Sequence, residues 1–261
     1  MKIKGDQMRL KRPIARLSIY CLLFASISFV ITFGLVHHHK SVAGAINSST
    51  GQVSTSADHQ YTLGQTGPGG GTVFYYSAVG FNCGTNDTST GGPTGGLCHY
   101  LEAAPSGWNG GDDPTELWVA TGYYAASIPG ITDESSPNNT SAAIGLGYLN
   151  SIDIVTHGND LTSAAAAARS YTGGSKSDWY LPDAAELNQL CKYATGQLWI
   201  SDATLCTGSN SDSPSLGLYA HYYWSSSESD GGFAWRQAFN DGTQDPYNKN
   251  DIYSVRPVRA F

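Results

Sequence analysis

The sequence predicts an α+β domain of short antiparallel strands and two helices, set behind one N-terminal membrane segment. Three patterns lead to that reading. Phe233, Trp235, Gln237 and Phe239 alternate with Ala234, Arg236 and Ala238 at period two, which is the signature of a strand with one buried face. Leu187, Leu190 and Cys191 recur on one side of a helical repeat that follows Pro182 and Asp183. Leu17 to Val36 is a run of twenty residues without a charge.

The uncharged run is preceded by Lys2, Lys4, Arg9, Lys11, Arg12 and Arg16. As a helix rising about 1.5 Å per residue it would reach roughly 30 Å, the thickness of a bilayer core. Positive charges before the run orient the N-terminus to the cytoplasm and everything after His37 outside. Residues 1–40 read as a signal anchor or, because Ser41-Val42-Ala43 and Ala43-Gly44-Ala45 offer small residues to a peptidase, as a cleaved signal peptide. Either way the rest of the chain is exported: membrane-anchored in the first case, secreted in the second. Residues 41–60 are small and polar without apolar period, a flexible linker rich in serine and threonine, and residues 61–261 form the domain.

The domain opens with turns, since 14 of the 31 glycines lie between Gly64 and Gly111. The Gly67–Ser77 stretch, GPGGGTVFYYS, predicts a glycine-rich turn before a strand at Thr72 to Tyr76, with HYLEAAP at His99 to Pro105 as its partner. It lacks the Gly-Lys-Ser/Thr ending and the following helix of a phosphate loop. A first helix is predicted from about Leu161 to Tyr171 on its alanine content, with Gly173-Gly174 as the stop. The second starts at Asp183, three residues before Glu186 in a capping-box arrangement, which makes Glu186 a cap rather than a catalytic acid. After the strand at Phe233, Asp241-Gly242 offers a turn. Ile252 to Phe261 returns as a last strand interrupted by Pro257.

Cys21 lies in the uncharged run, leaving Cys83, Cys98, Cys191 and Cys206. Four cysteines allow three connectivities; the preferred one pairs Cys83 with Cys98 and Cys191 with Cys206, because each bridge then closes a short local loop. Each contributes about 3 kcal/mol on the chain-entropy model. Zinc is disfavoured because no pair has the close spacing of a structural site. Beyond residue 43 there are seven basic and twenty acidic residues, a formal charge of −13, which opposes binding to nucleic acid, heparin-like polymers or anionic membrane surfaces.

DWYLP at Asp178, YYWSSSE at Tyr222, FAWRQAFNDG at Phe233 and VRPVRAF at the C-terminus resemble the C-terminal domain family of the Legionella collagen-like adhesin, Lcl. The GPGGGxVFY and LEAAP pair extends that resemblance over most of residues 61–261. It implies a C-type-lectin-like architecture, a helix at LPxxxEL packed against the sheet, and first and last strands that pair, so that Phe261 is ordered. The adhesin from which the family takes its name is itself associated with trimers and sulfated glycosaminoglycans. This chain has no collagen-like stalk and an acidic domain, so a neutral glycan or a surface protein fits its charge better.

For chemistry, the surface candidates are Trp118 with Tyr123 and Tyr124 as a stacking platform, and Arg236 as partner of a carboxylate or a ligand. Calcium is the cofactor considered. Asp241, Asp245 and Asp251, with Asn248, lie in one polar loop, and Asp112, Asp113 and Glu116 in another, although neither follows the spaced calcium-loop pattern. A Ser225, His221, Asp230 grouping would serve a hydrolase, but no G-x-S-x-G accompanies it. The resulting reading is an exported, membrane-tethered binding or adhesion module without turnover. A structural envelope protein is the alternative and a secreted hydrolase the third reading.

Overall fold

Strand β1 (Thr72–Phe81) and strand β2 (Cys98–Ala103) pair antiparallel with Thr72 opposite Ala103, as the glycine-rich turn and LEAAP predict. β3 (Thr115–Leu117) follows, then three helices: α1 (Gly147–Gly158), α2 (Ala164–Ser170) and α3 (Ala184–Ala194). The chain ends in β4 (Tyr222–Glu228), β5 (Phe233–Ala238), β6 (Gln244–Asn248), β7 (Ile252–Ser254) and β8 (Val258–Ala260). The computed structural model describes residues 60–84, 97–131, 144–158, 162–198, 204–207 and 216–261. These belong to one compact unit, Ser56–Phe261. The predicted membrane segment Leu17 to Val36, with Cys21, and the predicted linker up to residue 59 lie outside the described residues. Among the described residues no helix is long and apolar enough to cross a membrane.

The strands make two sheets, a three-stranded one ordered β1-β2-β8 and a five-stranded one ordered β3-β7-β4-β5-β6. Pairing is antiparallel except between β4 and β7, where Tyr223 faces Ser254 in parallel. Pro257 sits in the gap between β7 and β8, so the last segment leaves one sheet and joins the other. Its partner differs from expectation: β8 pairs with β2, not with the first strand. Phe261 is ordered all the same, because its carbonyl accepts from His99 and Tyr100 and its ring stacks on Tyr100 at 5.3 Å.

Helix α3 starts as the capping box predicts. The Asp183 carboxylate accepts the Glu186 N–H at 2.9 Å, and the Glu186 carboxylate accepts the Asp183 N–H at 2.9 Å. Glu186 also accepts the Tyr180 hydroxyl at 2.8 Å. Leu187, Leu190 and Cys191 are fully buried against both sheets. Helix α2 is shorter than its alanine run suggests: Ser163 caps its start and Tyr171 ends it. Gly173-Gly174 does not stop the helix but forms a separate turn, where Gly174 has φ 61° and a Cβ would meet the Gly69 backbone at 2.6 Å. Helix α1 is the third, beyond the two predicted. Its sequence, GYLNSIDIVTHG, is rich in β-branched residues and poor in helix formers. Burial of Ile154 and the exchange of hydrogen bonds between the Ser151 hydroxyl and the Leu181 backbone hold it in place.

Both disulfides form as preferred, Cys83–Cys98 and Cys191–Cys206, with Cα separations of 6.0 and 5.9 Å. The period-two reading of β5 places the strand correctly, but burial does not alternate along it, since Arg236, Gln237 and Ala238 are all buried. Phe233 is 40% exposed, whereas Ala234 and Ala238 are buried. Both faces of β5 are covered in part, and Gln237 and Phe239 are buried as fully as Ala234.

Candidate functional site

Three buried charge pairs hold the loops that shape the surface. The first explains the glycine-rich turn: the Glu102 carboxylate accepts the Gly69 N–H at 2.9 Å and the Gly71 N–H at 3.0 Å. A Cβ at Gly67 would lie 2.5 Å from that carboxylate, so the turn is a backbone cradle for a side-chain anion. Arg259 completes it, donating to Glu102 at 2.9 Å and to Asp178 at 2.6 Å. In the second, Arg256 binds Asp113 through Nε and Nη2 and gives its remaining donors to the carbonyls of Ala104, Leu216 and Gly217. Asp113 also accepts from the Trp108 indole and the Tyr223 hydroxyl, each at 2.8 Å. Burial, with the nearby Asp113 charge, pushes the Tyr223 pKa well up. In the third, Lys249 pairs with Glu228 and donates to the carbonyls of Ala126 and Gly231. The Glu228 carboxylate accepts the Ile128 N–H.

In the five-stranded sheet, tyrosines with partly exposed rings gather around one buried arginine. Trp224 lies opposite Arg236, Arg236 opposite Asp245, and Ala234 opposite Tyr247. Alternation then puts Tyr222, Arg236, Asp245 and Tyr247 on the same side, joined by Tyr253 from β7. The Arg236 guanidinium lies 3.8 Å from the Tyr222 ring centroid, 3.7 Å from that of Tyr247 and 4.6 Å from that of Tyr253. It binds Asp245 with both Nε and Nη2, each at 3.1 Å. Burial alone would lower the Arg236 pKa, but the Asp245 hydrogen bonds and charge outweigh it and raise it. Arg236 is only 7% exposed, while Tyr222 and Tyr247 keep 38% and 37% of their surface open. The cation thus holds the rings in place while part of each stays exposed.

Burial pushes Tyr253 up to about 12, with Arg236 opposing the shift and Asp251 adding to it. The folded state holds this proton more tightly than the unfolded chain. Tyr253 therefore contributes its stabilisation in full below the ordinary tyrosine value of 10.0 and loses it as pH rises through about 12. An alkaline titration of phenolate absorbance, taken as the difference between the protein and its Tyr253→Phe variant, should place the Tyr253 transition near 12. A transition at 10.0 would show that burial does not act on it.

Beside the ring cluster the surface dips. A hollow of about 450 Å³ is lined by Asp112, Thr115, Tyr219 and His221 over the buried Asp113. It shares Thr115 and His221 with a second hollow of about 250 Å³, walled by Tyr222, Ile252 and Tyr253. Asp112 is exposed and accepts the Tyr219 hydroxyl at 3.1 Å; Tyr219 packs on the His221 ring at 5.7 Å.

Several sequence candidates fall elsewhere. Trp118 is not on the surface: it is fully buried, its indole donates to the Ser225 carbonyl at 2.7 Å, and Lys249 lies over its ring. Tyr123 is 37% exposed but pairs with His157, and Tyr124 packs against the cluster around Trp118. Arg236 pairs with a carboxylate, Asp245. Asp241 accepts the Thr243 N–H of its own turn, and Asp113 belongs to the Arg256 pair. Among the described residues no group of three or more His, Cys, Asp or Glu side chains is placed to hold a metal ion. The hydrolase grouping does not assemble either. Ser225 is buried and donates to the Trp235 carbonyl, whereas His221 is exposed and Asp230 accepts the Gly232 and Phe233 N–H groups.

Comparison with known proteins adds a family and a distant structural likeness. No curated protein matches the chain. A fimbrial protein from Bacteroides ovatus superposes with a TM-score of 0.42 at 16% identity, over 73% of this chain and 44% of that one. The chain thus spans less than half the length of that protein. A family model described as the Lcl C-terminal domain matches residues 134–259, which takes in α1 to α3, β4 to β7 and most of β8. That segment, which carries the DWYLP, YYWSSSE and FAWRQAF motifs, matches the Lcl C-terminal domain family that those motifs resemble.

Proposed function

We propose that this protein is an exported surface module of C-type-lectin-like architecture that binds a partner without catalytic turnover, in an adhesion-type role. The observation that carries the reading is the sheet face on which Arg236 is clamped between Tyr222 and Tyr247 with its charge met by Asp245. Tyrosines held by internal contacts offer broad amphipathic contact area that loses little conformational entropy on binding. Residues 17–36 tether the domain, or release it if cleaved. The two disulfides fit an oxidising compartment. The partner in this reading is a glycan or a surface protein.

The test is adhesion of cells displaying the full chain, compared with the Tyr222→Ala/Tyr247→Ala double variant at equal surface expression. We expect attachment to fall about tenfold, the size of effect that losing a hot-spot pair produces. Unchanged attachment by a correctly folded variant would remove this face from the function. Altered envelope integrity on deletion, with attachment intact, would favour the structural envelope role instead.

A further inference from the structure

Where the positive charges sit decides what the binding face can accept. Beyond residue 43 the chain has seven Lys and Arg residues against twenty acids, and all seven are described. Five are buried: Lys192, Arg236, Lys249, Arg256 and Arg259, none more than 7% exposed. Four of these five are locked to carboxylates inside the domain. Only Arg169, lying over the Tyr148 ring, and Lys176 remain as half-exposed cations. The fold internalises its positive charge and presents a surface with almost none, so the field over its hollows is negative.

From this we infer that the hollow between Asp112 and Tyr222 receives a lysine or arginine side chain of a protein partner. The inference rests on the binding role proposed above and names the partner class for the same face. Its two halves match the two halves of such a side chain. The Asp112 carboxylate and Tyr219 hydroxyl stand at one end to meet a cationic head. The apolar wall of Ile252, 59% exposed, with the Tyr222 and Tyr253 rings at the other, suits a methylene stem. The neighbouring clamp shows this chemistry at work within the domain, since tyrosine rings and one carboxylate already hold Arg236 there. A neutral sugar would use the rings but gain nothing from the field, and a sulfated polymer would be repelled by it.

Full-length protein, immobilised through an N-terminal tag, separates these cases. The probes are a capped heptapeptide of alternating glycine and lysine, its glutamate counterpart, a neutral maltooligosaccharide and heparin. We expect the lysine peptide to bind and the other three not to, with binding weakened about tenfold between roughly 50 and 500 mM NaCl. Asp112→Asn, which keeps an acceptor for the Tyr219 hydroxyl, is expected to weaken it about fivefold at unchanged melting temperature, as loss of a partly exposed charge contact does. Lysine-peptide binding indifferent to Asp112→Asn would overturn the assignment of this hollow. Binding of the maltooligosaccharide or heparin in place of the lysine peptide would overturn the cationic partner while keeping the binding face. Absence of binding by every probe, with cell attachment still dependent on Tyr222 and Tyr247, would also overturn it. Loss of that dependence would remove the binding reading itself.

Discussion

Replacing Glu102 with alanine is expected to destabilise the domain by about 3–5 kcal/mol, the range for removing one partner of a buried ion pair. The Glu102 side chain is fully buried and is the shared acceptor for Gly69, Gly71 and Arg259. Its removal leaves two backbone N–H groups and a guanidinium without their anion, each a desolvated donor. The effect should spread, because Arg259 sits on β8, Asp178 precedes the Tyr180–Val258 bridge, and the Trp179 ring packs on Gly69 and Gly71. Urea unfolding of the disulfide-bonded domain measures it. A change below about 1 kcal/mol would mean that water replaces the carboxylate and that the cradle is not dry. Glu102→Gln keeps the shape but loses the charge, and is expected to fall between the two.

Arg256→Ala is expected to destabilise by a similar amount, about 3–5 kcal/mol, and to disturb the binding face as well. Arg256 is 1% exposed and joins Asp113 to carbonyls on either side of it in the chain. Arg256→Lys keeps the charge but cannot reach Asp113, Ala104, Leu216 and Gly217 together, because an ammonium lacks the planar fork. Lysine should therefore recover only a minor part of the loss. The Asp112–Asp113 loop carries one end of the hollow, so both variants should weaken partner binding at temperatures where the domain is still folded. Recovery of full stability by lysine would show that charge alone, not the fork, holds the loop.

These two predictions rest on residues whose sequence context is plain but whose partners are not. LEAAP and GPGGG are legible as a strand and its turn, yet nothing in either motif says that the glutamate of one fills the glycine cradle of the other. The close approach is a property of the β1–β2 register and of β8 arriving beside them. VRPVRAF is likewise legible as a strand broken by proline. That its two arginines serve two separate buried carboxylates follows only from the chain crossing between sheets.

Arg236 is a candidate on the sequence, but the tyrosines around it are not legible there, for a related reason. Tyr222, Tyr247 and Tyr253 lie on three different strands, each next to residues that read as core or turn, and no local spacing links them. Trp118 reads as a surface residue because it stands in a loop-rich region with other rings nearby. A large ring with one donor is, however, well suited to burial once a carbonyl such as that of Ser225 is within reach. Asp241, Asp245 and Asp251 cluster in sequence, but strand pairing gives Asp245 to Arg236 and leaves Asp241 to cap its own turn.

By itself the sequence determined the two local disulfides, the capping box of α3, and the strand read from period two. Each of these depends on neighbours within about fifteen residues, where chain connectivity limits the options. Tertiary structure alone decided helix α1, the pairing of β8 with β2, the burial of Trp118, and the internalisation of five cations. Those depend on which distant groups meet away from water, where an unpaired charge or donor is penalised far more than on the surface, and that is a property of the assembled fold rather than of any segment.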